Sequence, residues 1–176
     1  MGISGGSISG DILNPGTAAT GVVAVETGWE RNHVTTLTLS SLGLTIGDSS
    51  TLADGVLIYT FPAGVIIVDS AYMSVAVTLT TSTPTTDAPD VGLGTVIATG
   101  GVANLSTPST FEDILTGRAA TNVAGTATVG TVQTTKVIET GDDHTVHFNI
   151  ADAWADVSNA DATASGTVVL KWAAMT

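Results

Sequence analysis

The sequence predicts an all-β protein: an antiparallel β-sandwich, jelly-roll-like, with one short helix in a connection. Three observations predict it. Stretches such as SVAVTLT at 74–80 alternate apolar and hydroxyl side chains with the period of two of a half-buried strand. Glycine, proline and aspartate turns cut the chain into roughly eight or nine such stretches, a spacing typical of sandwiches and barrels. No long helical pattern alternates with them, which argues against a parallel α/β sheet, and no internal repeat suggests a propeller or β-helix.

Taken in order, residues 1–20 are rich in Gly, Ser, Thr and Ala, with a Pro15-Gly16 turn, and read as a flexible N-terminal arm. Residues 21–176 read as a single β-sandwich domain. Its expected strands begin with 21–27 and 33–39, where Thr35, Leu37 and Leu39 alternate with Val34, Thr36 and Thr38, and an extension over 42–46. After turns at 47–50 and 52–55 come 56–61, 64–69 and 71–81. The segment VLIYTFPAGVIIVDSAYMSVAV (56–77) is apolar but broken by Pro62, Gly64 and Asp69, so it reads as a core hairpin and not as a membrane span.

Residues 82–90 read as an exposed loop, and 91–98 and 101–105 as strands whose glycines mark bulges or close approaches. Ser109-Thr110-Phe111-Glu112 has the pattern of a capping box, with Gly117 as the stop, and predicts a helix of about two turns. Strands are expected again over 123–138, 144–150 and 165–173.

Composition narrows the function classes. The 176 residues include no cysteine, which excludes disulfides, thiolate nucleophiles and Cys-based zinc sites. The first residues, MGISGGSISGD, have neither the basic nor the apolar region of a secretory signal. Sixteen acidic residues against four basic ones give a net charge of −12, which opposes nucleic-acid binding and anionic membrane surfaces. Only 11% of residues are charged, against roughly 25% in an ordinary soluble domain, so hydroxyls from 31 Thr and 14 Ser must supply the polar surface. Together with a mean hydropathy of +0.41, this suggests that part of the surface is covered by other subunits.

The segment GDDHTVHFNIADAW (141–154) is the strongest place to look for chemistry, because Asp142, Asp143, His144 and His147 are metal-ligand types. If 144–150 is one strand, however, His144 and His147 point to opposite faces and cannot close on one ion, even with His33 added. Asp152, Asp156 and Asp161 raise calcium but lack EF-hand spacing, and Trp154 is expected to tuck inward. No G-x-S-x-G elbow is present. Glu112/Asp113 read as helix capping, Asp142/Asp143 as a turn, and Gly92-Leu93-Gly94 lacks the rest of a dinucleotide site. No catalytic, cofactor-binding or metal residue is therefore assigned, and no enzyme activity is expected. Trp172 shares its face with Val168 and Leu170 and reads as core, whereas Trp29, beside Glu30 and Arg31, is the best exposed contact.

The stretches DVGLGTVIATGGVANLSTPSTFEDILTGRAATNVAGTATV (90–129), HTVHFNIADAWA (144–155) and GTVVLKWAA (166–174) resemble small accessory head proteins of aquatic tailed phages. The resemblance covers about the C-terminal half; residues 1–89 match by composition alone. It implies a capsid decoration, or cement, protein: β-rich, often a dimer or trimer, bound outside the head where it clamps units of the major capsid protein. It carries over no ligand residues. The alternatives are a tail- or fibre-associated β-domain and a free carbohydrate-binding module.

Overall fold

A computed structural model describes residues 7–9, 14–46, 51–80, 87–154 and 160–175. Its strands are β1 (Ser7–Ser9), β2 (Thr17–Ala18), β3 (Val22–Trp29), β4 (Asn32–Ile46), β5 (Ala53–Thr60) and β6 (Ile66–Leu79). They continue with β7 (Asp90–Gly94), β8 (Leu115–Ala119), β9 (Ala124–Val132), β10 (Lys136–Ile138), β11 (Thr145–Ala151) and β12 (Ala160–Ala174). The expected all-β sandwich is what forms: two sheets pack face to face, and every strand pair is antiparallel except β1 with β3.

The pairing is nested. β4 pairs with β12, β5 with β11, β6 with β9 and β7 with β8, as in one long hairpin rolled over on itself. That connectivity is a jelly roll. The large sheet runs β1-β3-β4-β12-β6, with β9 and β10 sharing the far edge of β6, and the small sheet runs β2-β5-β11-β7-β8.

Alternation has to hold phase over the long strands, since a slip of one residue would turn the apolar set outward. In β12 it holds without interruption: Ala162, Ala164, Val168, Leu170, Trp172 and Ala174 are all buried. Both neighbours of β12 carry bulges. Ser40 and Ser41 of β4 oppose the single Ser165, so the buried set passes from Leu37 and Leu39 to Leu42, Leu44 and Ile46. Ser41 takes the left-handed φ of 53° there, and its N–H donates to Ser165 Oγ at 2.9 Å. In β6 the extra residue is Asp69, after which the inward set passes from Ile66 and Val68 to Ala71, Met73, Val75 and Val77.

Four expectations are corrected. The turn expected at 52–55 is instead the start of β5, whose Ala53, Asp54 and Gly55 pair with β11. The apolar segment 56–77 is not a hairpin, because β5 enters the small sheet and β6 the large one. Residues 101–105 form turns and bends, since the chain there folds across the outside of β7. The helix shrinks to a 3-10 turn at Ser109–Phe111 with no side-chain cap. Glu112 accepts instead from the Gly117 N–H at 2.6 Å. Phe111 and Ile114 are drawn into two different apolar clusters, which a continuous two-turn helix could not serve together.

Of residues 1–20, Ser7–Ser9 lie along β3 and Thr17–Ala18 along β5, while residues 1–6 and 10–13 are outside the described residues. The expected turn at 47–50 and most of the loop at 82–90 also lie outside them.

The Ser41 bulge yields a test by denaturant unfolding. Ser41→Gly is expected to leave stability unchanged or raise it by up to about 1 kcal/mol, since glycine adopts positive φ freely. Ser41→Val is expected to lower it by about 1–3 kcal/mol. Equal effects of the two substitutions would remove the bulge as a constraint.

Candidate interaction surface

In the acidic segment at 141–154, Asp142 and His144 are engaged by their own chain. Asp142 closes a turn: its Oδ2 accepts from the Glu139 N–H at 2.9 Å, and its own N–H donates to Glu139 O at 3.0 Å. His144 sits between two backbone carbonyls, Nδ1 at 2.8 Å from Asp142 O and Nε2 at 2.6 Å from Gly64 O. It thereby ties the start of β11 to the turn before β6. His147 lies on the other side of the small sheet, against Gly94 and Thr95. Burial lowers its pKa, opposed in part by backbone hydrogen bonding at Gly94 and Thr95 and by the charge of Asp143. Its Nδ1 is buried without a partner.

The remaining predicted residues do not converge. Asp113 accepts from the Thr95 N–H at 2.8 Å and from Thr95 Oγ1 at 2.9 Å, and pairs with Lys136 Nζ at 2.7 Å. Asp152 follows β11 in the small sheet and Asp161 lies in β12 of the large one, while Asp156 is outside the described residues. Burial raises the pKa of Asp152, with Asp87 and Asp90 adding to the shift. Among the described residues no three His, Asp or Glu side chains gather as metal ligands. Trp154 is buried, its Nε1 donating to Leu52 O at 3.0 Å, and Trp172 is core.

The structure also assembles a polar cluster that the sequence reading missed. Glu26 of β3 is fully buried, with His33 Nδ1 of β4 at 2.7 Å from Oε1 and the Tyr59 hydroxyl of β5 donating to Oε2 at 2.5 Å. His33 stacks on Trp172 with ring centroids 3.8 Å apart, and Trp172 Nε1 donates to Thr35 Oγ1 at 2.8 Å. Phe61 packs edge-on against both Tyr59 and Trp172. Burial first, and then the adjacent Glu26 carboxyl, push the Tyr59 pKa far above the usual phenol range. The signal was present in the alternation: Glu26 falls in phase with the buried Val22 and Ala24, and His33 with Thr35 and Leu37. A charged residue in phase with a core face announces a buried partner. The cluster is almost wholly buried, yet His33 and Trp172 also line the groove beside Trp29, and His33 Nε2 is buried without a partner.

The two outward faces of the sandwich differ. Over the small sheet, residues 95–114 form a cover with its own apolar cluster of Ala53, Ala98, Leu105, Phe111 and Ala151. Asn149 pins it, accepting from Ala98 N–H at 2.9 Å and donating to Val96 O and Phe111 O at 2.9 and 2.8 Å. The cover lies so close on β7 that a Cβ at Gly94 would collide with the backbone of Thr110 and Phe111.

The large sheet has no such cover among the described residues. Register places Val25, Thr36, Val169, Tyr72 and Thr131 in one row across five strands, and Val23, Thr38, Thr167, Ser74 and Val129 in the next. Eight large apolar side chains are exposed among the described residues, and six of them stand on this face: Val23, Val25, Trp29, Tyr72, Val129 and Val137. Trp29, the expected exposed contact, is the most exposed at 63%. It borders a groove of about 400 Å³ that Asn32, Val34, Asp69 and Lys171 also line.

No family model, no curated protein and no solved structure matches the chain. No described helix is long and apolar enough to cross a membrane.

Two titrations follow from this geometry. His147 has a lowered folded pKa, so its contribution to stability is present above about pH 6.5 and is lost as pH falls below that value. His147→Gln should flatten this acid limb in pH-dependent thermal unfolding. Tyr59 has a raised folded pKa, so its contribution is present below about pH 10 and is lost as pH rises through it. Tyr59→Phe should cost about 1–3 kcal/mol at neutral pH, by leaving Glu26 short of a donor, and should weaken the alkaline loss. An unchanged acid or alkaline limb would refute the corresponding assignment.

Proposed function

We propose that this chain is a structural virion protein, a decoration or cement protein that binds the outside of a phage head and strengthens contacts between units of the major capsid protein. The observation that carries this reading is the outer face of the large sheet, which no described residue covers: broad, lightly charged, and rich in hydroxyl and apolar side chains. The polar groups first suspected of chemistry support the same reading, since Asp113, Asp142 and His144 are engaged by their own chain. Jelly rolls recur in viral capsid and lectin domains, which agrees with this class without fixing it. A net charge of −12 suits a position outside the shell, away from packaged nucleic acid.

The action is mechanical. Each copy adds buried area at junctions between shell subunits, at roughly 25 cal/mol per Å² of apolar surface before ordering costs, and the contacts repeat over the particle. A second reading, carbohydrate binding, draws on the exposed Trp29 indole beside Asn32, Asp69 and Lys171, an arrangement that offers a ring face and hydrogen-bonding groups to a sugar.

Particles pelleted from lysate of the producing cells and washed provide the test, by quantitative mass spectrometry of this chain against the most abundant shell protein. A ratio within a few-fold of one is the expected result. A few copies per particle would move the protein to the tail or fibre. Absence from particles, with glycan-dependent quenching of tryptophan fluorescence, would replace the virion reading with the carbohydrate one.

A further inference from the structure

We infer that the outer face of the large sheet is a self-docking surface, on which a second copy of this chain packs back to back. The inference rests on reading that face as a protein interface, but not on the placement of the protein in a virion.

Charge selects the occupant. The outward positions of β3, β4, β6, β9, β10 and β12 hold only three charged side chains among the described residues: Asp69, Asp161 and Lys171. The face is therefore close to neutral, although the chain as a whole carries −12. Two copies repel one another over most of their surface, and burying carboxylates against carboxylates is costly. This face is a broad surface on which they can meet without that penalty. A basic partner would instead be drawn to the acidic remainder. The few charges here are of both signs, so a twofold axis can set the Lys171 of one copy near an aspartate of the other.

Size and shape agree. Five strands at about 4.8 Å spacing, the longest of 15 residues at about 3.3 Å each, give a face on the order of 1,000 Å². A standard interface buries roughly 800 Å² per partner. Sheet faces pack in this way at about 10 Å separation inside ordinary sandwiches. Val25, Tyr72 and Val129 are exposed in the middle rows, and Trp29 stands at one end as an aromatic anchor of the kind that dominates binding energy. The contrast with the small sheet is informative: there the chain covers its own outer face, and here the cover comes from the second copy.

The test is sedimentation velocity on the purified full chain at up to roughly 100 μM, which populates any dimer of micromolar affinity. A dimer is expected, and it should tighten as salt rises, because screening weakens the repulsion between carboxylates and leaves apolar contact intact. Val25→Lys and Tyr72→Glu should each give folded monomers that still unfold cooperatively, with midpoints no longer dependent on protein concentration. Ile97→Lys, at an exposed apolar position on the covered side, should stay dimeric. A monomeric wild type at every salt concentration, a trimer, or a dimer that survives both face substitutions would overturn the inference. A monomer present on particles at near one copy per shell subunit would sink this inference and leave the virion reading standing. A dimer absent from particles would do the reverse.

Discussion

The structure depends first on keeping strand alternation in phase. β12 holds it without a break and lies between β4 and β6, each of which would drift out of step over 14 or 15 residues. A bulge in each neighbour, at Ser40–Ser41 and at Asp69, takes up one extra residue and returns the apolar set to the core. The same correction governs the opposite side. Without it, Leu42, Leu44 and Ile46 beyond the bulge of β4, and Ile66 and Val68 before that of β6, would turn onto the outer surface.

Glu26 sets the second constraint. A buried carboxyl is costly unless its oxygens find donors, and these come from both sheets: His33 from β4 beside it and Tyr59 from β5 across the sandwich. Shifting one sheet against the other by a residue would leave an unpaired carboxyl inside the protein. Trp172 fills the space around this cluster, stacked on His33 and held by Thr35, so apolar packing and polar satisfaction specify the same alignment.

Function is read here from how surface is used. The five-stranded sheet carries a cover made by its own chain and fixed by Asn149, whereas no described residue covers the face of the seven-stranded sheet. Hydroxyl side chains make that openness compatible with water. Thr36, Thr38 and Thr167 interrupt the valines along the rows, so the face remains polar enough for an isolated chain yet flat and lightly charged enough to meet protein.

By itself the sequence determined what depends on neighbours in the chain. Period-two alternation fixed the class, most of the strands and the inward Trp172, because side-chain direction along a strand is a local property, while side-chain character and charged neighbours placed Trp154 inward and Trp29 outward. It also excluded disulfide and thiolate chemistry outright. The tertiary structure decided whatever required distant residues to meet. Ser109 and Glu112 were competent to cap a helix, yet Glu112 was captured by the Gly117 N–H and Phe111 was drawn away to a second apolar cluster. β5 and β6 looked like one hairpin because their turn is short, but nested pairing sent them to different sheets. Thr35 and Trp172 meet across 137 positions, and the bare face combines strands from both ends of the chain. Local preference tells each residue which way to point; only long-range pairing decides what it then faces.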